Sequence, residues 1–275
     1  MSRDDRILPV TRITAVLVTG VLVVAWAILY LFPSETEELF AWTIRPDETA
    51  LFMGAAYLAG GYWFFSLARG ERWHEFAAYF PGITLFTAML GIATIISWEV
   101  FHHDQLTFFV WVFLYATTPF LVPALYLVNR RTDPGTPEPD DLEVPARVRL
   151  VAGALGAGML AFALVIFCAP DLAIEIWPWQ LSDLTARVLS AFIAAPGLGF
   201  LVVSRERRWS GWRPLVLHVA AGTALPLTAA ALGWSNFDDD AGRWLYVAGL
   251  AGLMMAAIGL YVGLERRLAL ASAGG

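Results

Sequence analysis

Eight runs of apolar residues alternate along the chain with short polar segments. They cover about 13–32, 48–68, 77–97, 106–128, 150–169, 184–203, 214–233 and 243–263. A helix rises ~1.5 Å per residue, so about 20 apolar residues cross the hydrocarbon layer of a bilayer. Each run therefore predicts a membrane-spanning helix. The first could be mistaken for a signal peptide. It is as long as a full span, and Leu29-Tyr30-Leu31-Phe32-Pro33 lacks the small residues of a cleavage site. We read it as the first helix.

The polar segments between the runs differ in kind. Residues 33–47 are acidic, with Glu35, Glu37 and Glu38, yet Leu39, Phe40, Trp42 and Ile44 interrupt them. That mixture predicts a short helix or bent loop in the headgroup region, where indole rings present an apolar body and a polar N–H. Asp47 or Thr49 is the expected cap of the second helix. Segments 69–76 and 98–105 read as turns. Segment 129–145 is rich in Pro, Asp and Glu and reads as a solvated linker.

The second half repeats the first. Arg12, Pro33 and Trp42 match Arg149, Pro170 and Trp179 at a separation of 137 residues. From Thr49 and Thr185 onward the separation is 136. It then pairs Gly61 with Gly197, Arg72-Trp73 with Arg208-Trp209, Trp98 with Trp234, Asp104 with Asp240, and Arg130-Arg131 with Arg266-Arg267. A fixed period points to duplicated architecture. The expected fold is an all-α integral membrane protein. Its eight transmembrane helices form two tandem parallel four-helix repeats, related by a pseudo-two-fold axis along the membrane normal. The expected divisions are a first repeat at 1–132, a Pro/acidic linker at 133–146 and a second repeat at 147–275.

Charge adds an orientation. Fifteen of the eighteen basic residues, all arginine, fall in the termini and in the segments facing the same side; Arg45, Arg187 and Arg243 fall on the other. The positive-inside rule then places both termini and the linker in the cytoplasm of a cell-membrane protein. Composition agrees with the bilayer, at 58% hydrophobic and 15% charged against ~25% charged in soluble domains. The absence of lysine excludes a Schiff-base cofactor. The single cysteine, Cys168, excludes an internal disulfide and a cysteine metal cluster. Only His218 of the four histidines lies within a span, so a haem held between two membrane histidines is not expected. No cofactor is implied.

Candidate chemistry is sparse. Trp42, Trp177 and Trp179 stand in the two outer connectors; they read as interfacial anchors or as lids over an outward cavity. Arg187, matched by Leu51 in the first half, is one-sided and reads as a ligand contact or as an ion pair with Asp183, four residues back. Glu99, His102 and His103 have helical spacing suited to a metal, but the second copy, 235–240, has no histidine. Pro119, Pro123, Pro196 and Pro226 fall inside spans and predict kinks. Small residues at Gly54, Gly153, Gly156, Gly249 and Gly252 predict close helix packing.

Three functions fit. The first is a small-molecule or lipid transporter, or channel-like protein, with its site at the repeat interface and Trp42, Trp177, Trp179, Arg187 and Glu99 as ligand contacts. The second is an accessory subunit of a membrane complex. The third is a membrane-embedded enzyme using Glu99, His102, His103 and Arg187. Expected partners are the lipid bilayer, a small-molecule ligand, and a second copy or other membrane subunits. The net charge of −6 does not suggest nucleic acid.

Overall fold

A computed structural model describes residues 4–136, 141–232, Trp234, Phe237 and 241–273. The middle of the expected linker, 137–140, lies outside the described residues. So does most of the second-half turn, including Asp240. Among the described residues eight helices are long and apolar enough to cross a membrane. They are α1 (Pro9–Trp26), α2 (Asp47–Arg69), α3 (Phe80–Ile96), α4 (Leu106–Asn129), α5 (Ala146–Cys168), α6 (Asp183–Val203), α7 (Trp209–Leu232) and α8 (Ala241–Ala273). The π-helical turn Ala27–Leu31 extends α1, and the short helix His74–Ala77 leads into α3. The chain has the build of a multi-pass membrane protein.

The helices form two layers of burial. The inner helices α2, α3, α6 and α7 bury about half of their apolar windows; α1 and α8 bury only 11%. Leu106, Leu150 and Leu245 stand about three-quarters exposed on outer helices. That surface suits lipid, not water. Each outer helix has one main inner neighbour: α1 lies on α2, α4 on α3, α5 on α6 and α8 on α7. The inner helices pair across the halves, α2 with α7 and α3 with α6.

Without a strong hydrophobic force between helices, close backbone approach holds such a bundle together. Gly156 is the clearest case: a Cβ there would lie 2.6 Å from Gly197 O and Leu201 N. α5 and α6 therefore touch backbone to backbone. The expected role for Gly249 and Gly252 of α8 fails, because a Cβ at either would meet nothing within 4 Å. Composition alone could not distinguish a glycine that faces a helix from one that faces outward.

At the arginine-rich end the segments before α1 and α5 lie as straps on the turns before α3 and α7. Trp73 N donates to Asp5 O at 2.6 Å, and Trp209 N donates to Leu142 O at 2.9 Å. The straps explain a boundary that the sequence places too late. α7 starts at Trp209, not near 214, because Asp141 accepts from Ser210 N at 3.2 Å and caps the helix from afar. α8 runs beyond 263, where Glu265 pairs with Arg213 and accepts from Trp209 Nε1 at 2.7 Å.

Neither expected cap of α2 is used. Thr49 N bonds to Pro46 O at 3.1 Å, and Pro46, which has no side-chain acceptor, takes the N-cap position. α6 instead carries a capping box, Ser182 with Thr185.

Candidate functional site

The inner helices do not fill the space between them. A cavity of about 270 Å³ lies between the halves. α2 contributes Tyr57, Gly60 and Trp63, α3 contributes Ile83 and Phe86, and Tyr79 caps the start of α3. α6 contributes Phe192 and Pro196, and α7 contributes His218, Gly222 and Pro226. Leu22 of α1, Val122 of α4, Met159 of α5 and Leu253 of α8 complete the wall. Leu121 is on the wall and is also 40% exposed, so the wall reaches the outer surface along α4.

The lining is almost wholly apolar. Apolar cavities stay dry and take apolar guests.

Two buried polar pairs interrupt the wall. Tyr57 and Tyr115 meet hydroxyl to hydroxyl at 3.0 Å. His218 bonds through Nδ1 to Ala59 O at 3.0 Å and through Nε2 to the Tyr79 hydroxyl at 3.1 Å. A carbonyl only accepts, so Nδ1 carries the proton and Nε2 accepts from Tyr79. His218 joins α7 to α2 and α3, and its polar atoms are fully used.

Both ends of the cavity are bridged between halves. At the arginine-rich end His74 Nε2 meets Ser210 Oγ at 2.8 Å. Behind them, Asp5 holds His74 Nδ1 and Asp141 holds the Ser210 hydroxyl. Asp5, His74 and Ser210 have the connectivity of an Asp–His–Ser relay. In such a relay the serine proton goes to the imidazole and backbone N–H groups await an oxyanion. Here Asp141 takes both the Ser210 hydroxyl and its backbone N–H. The geometry is that of a clamp between the halves.

At the opposite end Trp179 Nε1 donates to Thr49 Oγ1 of the other half at 2.8 Å. Two of the three connector tryptophans, Trp42 and Trp179, are buried, and Trp177 is half-buried. Trp42 is 1% exposed and packs within 4.8–5.3 Å of Phe40, Phe101 and Trp111. Trp179 is 2% exposed against Trp177, Phe237 and Tyr246. The connectors turn inward because each supplies several aromatic rings that bury one another.

None of Trp42, Trp177, Trp179, Arg187 and Glu99 lines the cavity. Arg187 pairs with Asp183 at 3.6 Å. Glu99, His102 and His103 do not converge. Glu99 is exposed, His102 Nε2 faces Thr43 Oγ1 at 3.2 Å, and His103 Nε2 faces Trp98 O at 3.0 Å. Among the described residues no three His, Cys, Asp or Glu side chains form a group able to hold a metal.

Charge concentrates instead in the turn before α7. Arg208 is 7% exposed and bonds Glu206 Oε2 at 2.8 Å and Asp133 Oδ1 at 3.2 Å. Burial pushes both carboxyls up, but the Arg208 hydrogen bonds, nearby backbone N–H donors and the guanidinium charge together outweigh it and hold both below their ordinary range. Burial pulls the guanidinium down, and the two carboxylates raise it overall. Of the residues singled out in the sequence, Pro196, His218 and Pro226 line the cavity; the rest of the wall and the Arg208 triad were not singled out. No family model, curated protein or solved structure matches the chain.

Proposed function

We propose that the protein is a transporter of a small apolar molecule or lipid, and that its site is the cavity between the two halves. One observation carries the reading: an apolar cavity of about 270 Å³ whose wall draws on all eight helices. The clamps at both ends are consistent with an occluded state, in which the guest would be reached sideways from the lipid along α4.

The tandem-repeat architecture belongs to this proposal. The packing pattern supports it, because the pairs α1–α2, α3–α4 and α2–α7 become α5–α6, α7–α8 and α6–α3 when the halves are exchanged. The straps add support: the bridge of Arg6 to Arg72 recurs as Glu143 to Arg208, in the register found in the sequence. Both termini are proposed to be cytoplasmic, on the arginine count. Alternating access would then require the clamps His74–Ser210 and Trp179–Thr49 to open in turn.

The test is to purify the full chain and identify small apolar molecules that remain bound, by extraction and mass spectrometry. About one molecule per chain, above the detergent background, is expected. Gly222→Leu should lower retention about tenfold with the fold intact, since a Cβ there meets only Ala59 Cβ at 3.4 Å and the rest occupies the cavity. Equal background retention by both proteins would contradict the reading.

A second reading, an accessory subunit, draws on the glycine face of α8. A Cβ at Gly249, Gly252, Gly259 or Gly263 meets nothing within 4 Å. A stable complex with another membrane subunit on purification would favour it.

A further inference from the structure

The cavity wall carries one spare hydroxyl proton, and its position names the kind of guest. The threonines on the wall have spent theirs. Thr14, Thr87, Thr118 and Thr223 donate to Val10, Thr84, Leu114 and Val219 carbonyls, and Thr11 donates to Asn129. Tyr79 donates to His218. Only the pair Tyr57 and Tyr115 remains. Two hydroxyls that bond each other use one proton and leave the second. Neither hydroxyl has another hydrogen-bond partner among the described residues. Both rings are buried, with relative exposures of 3% and 9%, and both line the cavity.

A buried donor without an acceptor is costly, and a guest that supplies one recovers that cost. We infer that the cavity takes a lipid-like molecule bearing a carbonyl oxygen, a quinone or an ester, which accepts a hydrogen bond from the Tyr57–Tyr115 pair. This deepens the proposed function and rests on it. The pair at His218 has no free proton, so the proton left over at Tyr57 and Tyr115 is the hydroxyl donor that the wall offers a guest.

The pair is confined to one half. In the register of 136, Tyr57 falls on Ile193 and Tyr115 on Ala251, both apolar. Tyr79 and His218 fall on Leu215 and Gly82 in the same way. Each polar pair is therefore matched in the repeat register by apolar residues, and the spare proton at Tyr57 and Tyr115 gives a guest a point toward which to orient.

The experiment measures equilibrium binding to the purified full chain in detergent, with three probes of equal chain length: an alkyl benzoquinone, a fatty-acid methyl ester and an alkylbenzene. Wild type should bind at least one carbonyl probe about fivefold to tenfold more tightly than the alkylbenzene. A preference for the quinone over the ester, or the reverse, identifies the source. Either single variant, Tyr57→Phe or Tyr115→Phe, leaves one hydroxyl whose proton is free, so affinity should stay within about twofold. The double variant should lose the carbonyl preference and keep alkylbenzene binding, which also reports that the cavity is intact.

Equal binding of all three probes by wild type would overturn the inference and leave the cavity reading standing. So would a double variant that keeps the preference. Failure of every probe to bind folded wild type would overturn the cavity reading itself. The wild-type ratio decides the question even if the double variant does not fold.

Discussion

Gly156→Leu is expected to destabilise the protein by about 3 kcal/mol or more, or to prevent folded protein from accumulating. The cause is backbone, not side chain: the first added carbon would sit 2.6 Å from both Gly197 O and Leu201 N. α5 must then leave α6, its main neighbour. Gly158→Leu, two residues on, is the control. A Cβ there meets nothing within 4 Å, so its change should stay within about 0.5 kcal/mol plus the small propensity gain of replacing glycine. Thermal unfolding followed by size-exclusion chromatography reads both. Equal stability of the two variants would contradict the close contact.

The second large effect is expected at Arg208→Met. Removing the guanidinium leaves Asp133 and Glu206 partly buried, 23% and 22% exposed at the side chain, without their shared counter-charge. Breaking a buried pair from one side costs ~3–5 kcal/mol, and partial exposure brings the expected loss to about 2–4 kcal/mol. The pH dependence follows from the direction of the shifts. Both carboxyls titrate below their ordinary range in the folded state. Their contribution is complete above the unfolded value near pH ~4 and is lost as pH falls through the folded values. Wild type should therefore weaken on acidification below about pH 4. In Arg208→Met the uncompensated carboxyls prefer to be protonated, so the deficit should shrink as the pH falls. Melting curves between pH 3 and 8 test this, and a deficit independent of pH would show that packing, not charge, holds the turn.

What the sequence displays well is anything carried by a run of residues. All eight spans are visible as apolar stretches. Burial on one side is less visible. Trp42 and Trp179 read as interface residues because tryptophan is common there, and only the folded chain brings Phe101, Trp111 and Phe237 around them. The start of α7 depends on Asp141, 69 residues before Ser210, and no local pattern reports a cap supplied from that distance. The cavity is less visible still, since it is a property of how the helices leave space. Its polar point joins Tyr57 and Tyr115 across 58 residues. One signal was present: in the repeat register, Tyr57 and Tyr115 align with Ile193 and Ala251 and mark places where the halves differ. Arg187 against Leu51 is a mismatch of the same kind, and it leads only to an ion pair with Asp183. A mismatch between copies finds candidates but does not rank them.

The account rests on two four-span halves that enter the bilayer the same way round. The most direct measurement is cysteine accessibility in whole cells, starting from Cys168→Ala. Single cysteines replace the exposed Glu99, in the turn between α3 and α4, and the exposed Glu175, in the connector between α5 and α6. A third replaces Thr136, at the start of the linker. A membrane-impermeant maleimide should label positions 99 and 175 in intact cells and position 136 only after permeabilisation. Labelling of 99 and 175 from opposite sides would mean that the halves are inverted, and the shared cavity between parallel copies would have to be abandoned.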